Sequence, residues 1–139
     1  MKSLSTLIKL QKTRVDEQRQ HVAKLQAHLE MIDRQITELE ISKAREQVAA
    51  DQSPEARTTY GAFLKGAVLK GRELDKQRRV AADAVEIARQ QLTALFEEQK
   101  RYEIAEAARI AKERREEQRR ETIELNEIGG MTHDRNKGE

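Results

Sequence analysis

Apolar residues near the start of the chain recur at seven-residue spacing. One row holds Ile8, Val15, Val22, Leu29 and Ile36, and a second row, three residues later, holds Leu25, Ile32 and Leu39. Leu4 begins the second row, but Gln11 and Gln18 take its next two places. Two apolar rows at this spacing are typical of a helix that buries a narrow seam against another helix. The pattern predicts a first helix over residues 3–49.

A second set of rows predicts another long helix after a break at residues 50–54. Ser53 is a favourable N-cap, and Pro54 is a favourable first helical residue. The main row then runs through Tyr60, Ala67, Leu74, Ala81, Ala88, Leu95 and Tyr102. An offset row holds Leu64, Val85 and Leu92, with Gly71, Arg78 and Gln99 between them. We predict a second helix over residues 55–128, ending at Gly129-Gly130, and a disordered tail over residues 129–139.

The short break indicates that the two helices lie antiparallel in a hairpin. Folding at about residue 52 places Ile8 opposite Leu95, Val15 opposite Ala88, Val22 opposite Ala81 and Leu29 opposite Leu74. Large residues then face small ones, which favours close packing. The predicted fold class is all-α, with one antiparallel coiled-coil hairpin domain over residues 1–128 and a C-terminal helical overhang of roughly 40 Å beyond Tyr102.

The predicted seam draws on both helices and pairs branched residues of the first with many alanines of the second. Its members are Ile8, Val15, Val22, Leu25, Leu29, Ile32, Ile36, Leu39, Leu74, Ala81, Ala88, Leu92 and Leu95.

Composition narrows the function classes. Charged residues make up 37% of the 139 residues and aromatic residues 3%, so the chain can bury a narrow stripe rather than a thick core. Cysteine is absent, which excludes disulfides and thiolate catalysis. The formal net charge of +2 argues against binding nucleic acid through an overall basic field. The first 15 residues contain no acid, but Asp16 and Glu17 end this resemblance to a mitochondrial presequence.

Few residues suggest chemistry. His21 and His28 lie seven residues apart, or about 10.5 Å along a helix, which is too far for one metal ion. We expect no catalytic site, no cofactor, no bound metal and no transmembrane segment. The segment Lys65–Arg79 is locally basic, and it is either a solvated face or a docking surface for an acidic partner.

The aromatic residues lie only at the two ends of the predicted hairpin. Phe96 and Tyr102 fall opposite an N-terminal group of leucines, while Tyr60 and Phe63 lie near the break, beside Leu64. Such residues either lock the hairpin shut or anchor a partner protein.

Several segments resemble the flagellar FliJ family of the bacterial export apparatus. They are the opening Lys2–Leu10 with Val15-Asp16-Glu17, the stretch Tyr60–Phe63, the stretch Phe96–Lys100, and the closing Glu121–Gly129. The resemblance covers nearly the whole chain, and its ends are more specific than its heptads.

The resemblance implies a cytoplasmic, non-enzymatic coiled coil at the flagellar basal body that resembles the central stalk of rotary ATPases. It implies three partners: the export ATPase hexamer, the cytoplasmic domain of the export gate protein, and export chaperones. Residues carried over to the ring-facing end are Leu4, Leu7, Ile8, Phe96 and Tyr102, and those carried over to the gate-facing bend are Tyr60, Phe63 and Leu64.

Two other function classes remain open. A structural spacer or scaffold would need no ATPase, and a nucleic-acid arm would show steeply salt-dependent binding. A hairpin closes its own seam within one chain, so we expect a monomer when the protein is free, whereas a parallel dimer of continuous helices needs two chains.

Overall fold

Two long α-helices account for all of the described residues except Ser3 and Ser53. The computed structural model describes residues 3–137, in which α1 is Leu4–Gln52 and α2 is Pro54–Lys137. No strand occurs within residues 3–137. The helices pack against each other with cross-helix contacts in antiparallel order, such as those of Gln18 with Ala88 and of Asp33 with Arg78. The predicted all-α hairpin is confirmed.

A single residue, Ser53, separates the two helices. Its Oγ accepts a hydrogen bond of 3.4 Å from the backbone N–H of Ala56, and its carbonyl accepts one of 3.1 Å from Arg57. The Arg57 Nε–H in turn donates to the carbonyl of Ala50, at 3.2 Å. These bonds supply partners for backbone groups that both helix ends would otherwise leave open. Because both ends are capped, α1 extends to Gln52, and the break is shorter than the predicted residues 50–54.

Helix α2 passes through Gly129-Gly130 and ends at Lys137, so the prediction of a helix end at residue 128 needs correction. A glycine helix stop requires a left-handed backbone, and no glycine of the described chain has a positive φ. Each glycine in a helix costs about 1 kcal/mol relative to alanine, which weakens the helix without ending it. Residues 129–137 are therefore helical, while residues 138 and 139 of the predicted tail lie outside the described range.

Two structural units divide the chain. The hairpin unit comprises residues 13–95, and the terminal unit comprises the described residues 3–12 and 96–137. In the hairpin unit, both helices contribute buried apolar side chains: Val15, Val22, Ile32, Leu39 and Ala50 from α1, and Ala67, Leu74, Ala81, Val85 and Ala88 from α2. The other seam residues are half-buried: Leu25, Leu29, Ile36, Leu92 and Leu95 in this unit, and Ile8 in the terminal unit. Most of these buried residues lie in the heptad rows, but Ala50, Ala67 and Val85 are also removed from water although the predicted seam does not include them.

The cross-helix register differs from the predicted one. Leu74 was expected opposite Leu29, but it packs in a cluster with Leu39 and Ala67. Leu39 also lies over Gly71, with its Cδ2 3.6 Å from the position that a Cβ on that glycine would occupy.

Helix geometry explains the shift. The turn centres on Ser53 rather than on residue 52. In addition, helical side chains lean toward the N-terminus of their own helix. On α1 this direction leads away from the turn, and on α2 it leads toward the turn. Each α1 side chain therefore meets an α2 residue several positions further along the chain.

Candidate partner-binding surfaces

A buried glutamine lies at a polar position of the seam in the terminal unit. Gln11 is 1% exposed, and its Nε2–H donates to Oε2 of Glu98 at 3.2 Å. The other oxygen of Glu98 accepts a 2.9 Å hydrogen bond from the Tyr102 hydroxyl. A buried polar group without a partner would cost about 1–3 kcal/mol. The start of α1 is therefore favoured in the position where Gln11 meets Glu98 of α2.

Two further polar positions of the seam also bond across the helices. In the hairpin unit, the Gln18 Nε2 group donates to the Ala88 carbonyl at 3.0 Å and to Gln91 Oε1 at 3.2 Å. The Arg78 Nε–H donates to Asp33 Oδ1 at 2.6 Å, in a pair whose side chains are each 45% exposed. Each of these bonds can form in only one register of the two helices. They therefore specify the register in the way that a polar core residue does in a coiled coil.

All five residues expected at the ring-facing end fall in the terminal unit. Leu4, Leu7 and Ile8 are half-buried on α1, and Tyr102 is half-buried on α2 with its hydroxyl on Glu98. Phe96 is 38% exposed, and Leu10 of the same unit is 41% exposed. The terminal unit therefore partly buries some of its apolar side chains and presents others to solvent.

The three residues expected at the bend separate into an inner and an outer group. Phe63 packs against the cluster of Leu39, Ala67 and Leu74, and Tyr60 is half-buried. Leu64 instead lines an open groove of about 490 Å³, together with Gly61, Lys65, Val68 and Leu69. Phe63 is thus part of the core, while Leu64 belongs to a surface that another protein can contact.

The basic stretch Lys65–Arg79 is only partly neutralised. Arg78 pairs with Asp33 on α1, and Arg79 pairs with Asp75 at 3.3 Å on its own helix. Four cations make no ion pair within the described residues: Lys65, Lys70, Arg72 and Lys76. A positive surface therefore adjoins the groove.

Charged side chains take over the seam positions of α2 beyond Tyr102. Arg109 donates to Glu106 at 2.6 Å and to Glu113 at 2.7 Å on the same helix. The hydrogen bond from Arg109 holds the pKa of Glu106 below its ordinary value of 4.5, and the two carboxylates raise the pKa of Arg109. Glu106 is half-buried, and every other side chain described from residue 103 to 133 is exposed. These ion pairs support a helix segment that α1 does not cover.

The geometry offers no site for a metal among the described residues. No group of three or more His, Asp or Glu side chains there converges at ligand distances, and His21 and His28 are both exposed. None of the described helices combines the length and apolar character needed to cross a bilayer.

Sequence patterns missed two features of these surfaces. Val68 and Leu69 line the groove but fall outside both heptad rows, so periodicity gave them no role. Gln11 and Gln18 interrupt the apolar row, and the signal for their cross-helix bonds is the polarity of a side chain at a seam position. Comparison of the chain with protein-family models, with curated proteins and with solved structures found no match.

Proposed function

We propose that this protein is a non-enzymatic, stalk-like coiled coil of the bacterial flagellar export apparatus. It acts at the cytoplasmic face of the basal body, where it inserts into the ring of the export ATPase and biases the ATPase cycle. The observation that supports this proposal most directly is the terminal unit. That unit joins the start of α1 to α2, exposes Leu10 and Phe96, and continues as a charged helix.

Asymmetry supplies the mechanism. One stalk inside a ring of like subunits makes different contacts with each subunit. A ligand that contacts two conformations unequally shifts the equilibrium between them by the difference in binding free energy. The stalk therefore favours one subunit conformation at each position and couples neighbouring sites without taking part in hydrolysis.

The surface near the turn is the proposed contact for the export gate protein and for export chaperones. Its groove presents the apolar side chains of Leu64, Val68 and Leu69 beside the unpaired cations. Apolar anchors with a charged rim are typical of protein interfaces.

The test is the hydrolysis rate of the export ATPase encoded in the same genome. We expect the purified chain to raise that rate and to co-elute with the hexamer, while showing no hydrolysis alone. Phe96→Ala should weaken the stimulation. Leu69→Ala, which truncates an apolar side chain 66% exposed in the hairpin unit, is the matched control and should leave it unchanged. No rate change and no co-elution with the native chain would reject the proposal.

A structural scaffold is the alternative function, and one observation favours it. Leu69, Val80 and Ile87 of α2 are 66%, 65% and 55% exposed, at spacings that place them on one helix face. A scaffold could bind a neighbouring protein along that face. It would leave ATPase activity unaffected, and Leu69→Ala would then weaken binding more than Phe96→Ala.

A further inference from the structure

A second heptad row lies on α2 beyond the part that α1 covers. It runs at alternating four- and three-residue spacing through Ile104, Ala108, Ala111, Arg115, Gln118, Thr122, Leu125, Gly129 and Thr132, which we call the C-terminal row. Only Arg115 among these nine positions is charged, whereas thirteen of the other twenty-two residues from 103 to 133 are charged. Such spacing places the row along one helix face, which is therefore almost free of charge.

Every member of the C-terminal row is exposed to solvent within this chain. Ile104 is 63% exposed and Leu125 is 68% exposed, and Ile128, beside the row, is 60% exposed. The hydroxyls of Thr122 and Thr132 donate to carbonyls of their own helix at 2.9 Å, so their hydrogen-bonding needs are met there. Burial of this face would thus leave few polar groups without partners.

We propose that the C-terminal row binds a second copy of the same chain, as an antiparallel two-helix pair. This inference does not depend on the proposed function, and it departs from the expectation that the free protein is a monomer. One antiparallel register sets large residues of the row against small ones of the partner helix on both sides of the central layer: Ile104 against Gly129, Leu125 against Ala108, and Thr122 against Ala111. Because the arrangement is symmetric, each of these contacts forms twice.

The flanking positions support the same register. It places Ile128 against Ala107 and Arg114 against Glu121, so one flank gains an apolar contact and an ion pair. In the central layer, Arg115 faces Gln118 of the partner helix. Within its own helix, the Arg115 Nε–H donates to the Ala111 carbonyl at 3.4 Å. Lys112 faces Arg119 on the other flank, and this repulsion keeps the association weak and reversible.

Other pairings of two copies are less favourable. If the antiparallel pair is shifted by seven residues, so that Leu125 faces Arg115 instead of Ala108, Glu121 faces the same residue of its partner. A parallel pair in register places Arg115 against its own copy and Arg114 against Arg119. Both alternatives bring like charges together and lose the match of large with small residues.

Sedimentation equilibrium of the full chain, over a concentration series up to about 1 mM, tests the association. We expect a reversible dimer. Leu125→Glu should abolish it, and Ile123→Glu should leave it intact, because Ile123 is 47% exposed but lies off the row. Circular dichroism of both variants shows whether the helix persists. A native chain that stays monomeric throughout, or equal loss of dimer in the two variants with helicity retained, would overturn the proposal.

Introduced cysteines test the orientation, because the chain has none of its own. Ala108→Cys and Leu125→Cys should form a mixed disulfide when the two variants are combined. Each variant alone should not crosslink, because its two thiols would lie about 25 Å apart along the pair. A disulfide between two Ala108→Cys chains would instead show a parallel dimer and contradict the inference.

Discussion

Single polar residues in the seam fix where the two helices meet. Apolar heptads alone tolerate a shift of one heptad, because each layer resembles the next. Gln11, Gln18 and Arg78 interrupt the apolar rows, and each bonds a particular group on the other helix. These residues therefore specify the register of the two helices as well as stabilising the fold.

Substitution of Gln11 in the terminal unit tests whether such a polar residue also stabilises the fold. We expect Gln11→Ala to lower the free energy of unfolding by about 1–3 kcal/mol, because Glu98 loses a hydrogen bond and a buried side chain is truncated. Urea unfolding followed by circular dichroism measures the change. Gln20→Ala, at an exposed position of the same helix, is the control and should change stability by less than about 0.5 kcal/mol. Equal effects of the two variants would show that Gln11 makes no special contribution.

The elements differ in what keeps them helical. Helix α1 buries an apolar row, and so does α2 up to Tyr102, and this burial supplies most of the stability of such helices. Beyond Tyr102, α2 relies on ion pairs within the helix, such as those of Arg109 with Glu106 and Glu113. Pairs of this kind each contribute only about 0.2–0.5 kcal/mol in isolated helices.

The lowered pKa of Glu106 gives this segment a predictable acid response. A carboxylate whose folded-state pKa is depressed stabilises the helix fully above its unfolded pKa, and this contribution disappears as pH falls through the folded pKa. We therefore expect the carboxyl carbon of Glu106 to titrate at a lower pH than that of an unpaired glutamate in an NMR pH series. Arg109→Gln should raise that midpoint, since it removes the hydrogen-bond donor, and Arg115→Gln should not. An unchanged midpoint in Arg109→Gln would contradict the assignment.

At the scale of the molecule, the two units should differ in local stability. The hairpin unit contains buried apolar residues on both helices, among them Ile32, Leu74 and Ala81, which are each 5% exposed or less. Residues 107–133 of the terminal unit are all exposed. Regions with few buried apolar contacts open at low free-energy cost.

Amide hydrogen exchange measures this difference directly. We expect backbone amides around Ile32 and Ala81 to exchange slowly and those around Gln118 to exchange within the fastest class. Exchange should be measured at low protein concentration, because pairing of two chains through the C-terminal row would add protection there. Slow exchange around Gln118 in dilute solution would show that the segment has stabilising contacts other than ion pairs within the helix.

The sequence by itself determined the two helices, their antiparallel arrangement and the heptad rows that supply most of the buried apolar residues. Heptad spacing reports burial directly, and Ser53-Pro54 marks the start of α2 chemically. The tertiary structure alone decided the register, because the lean of side chains and the centre of the turn shift each contact by several residues. It also decided that α2 continues through Gly129-Gly130, since a glycine pair stops a helix only where the backbone turns left-handed.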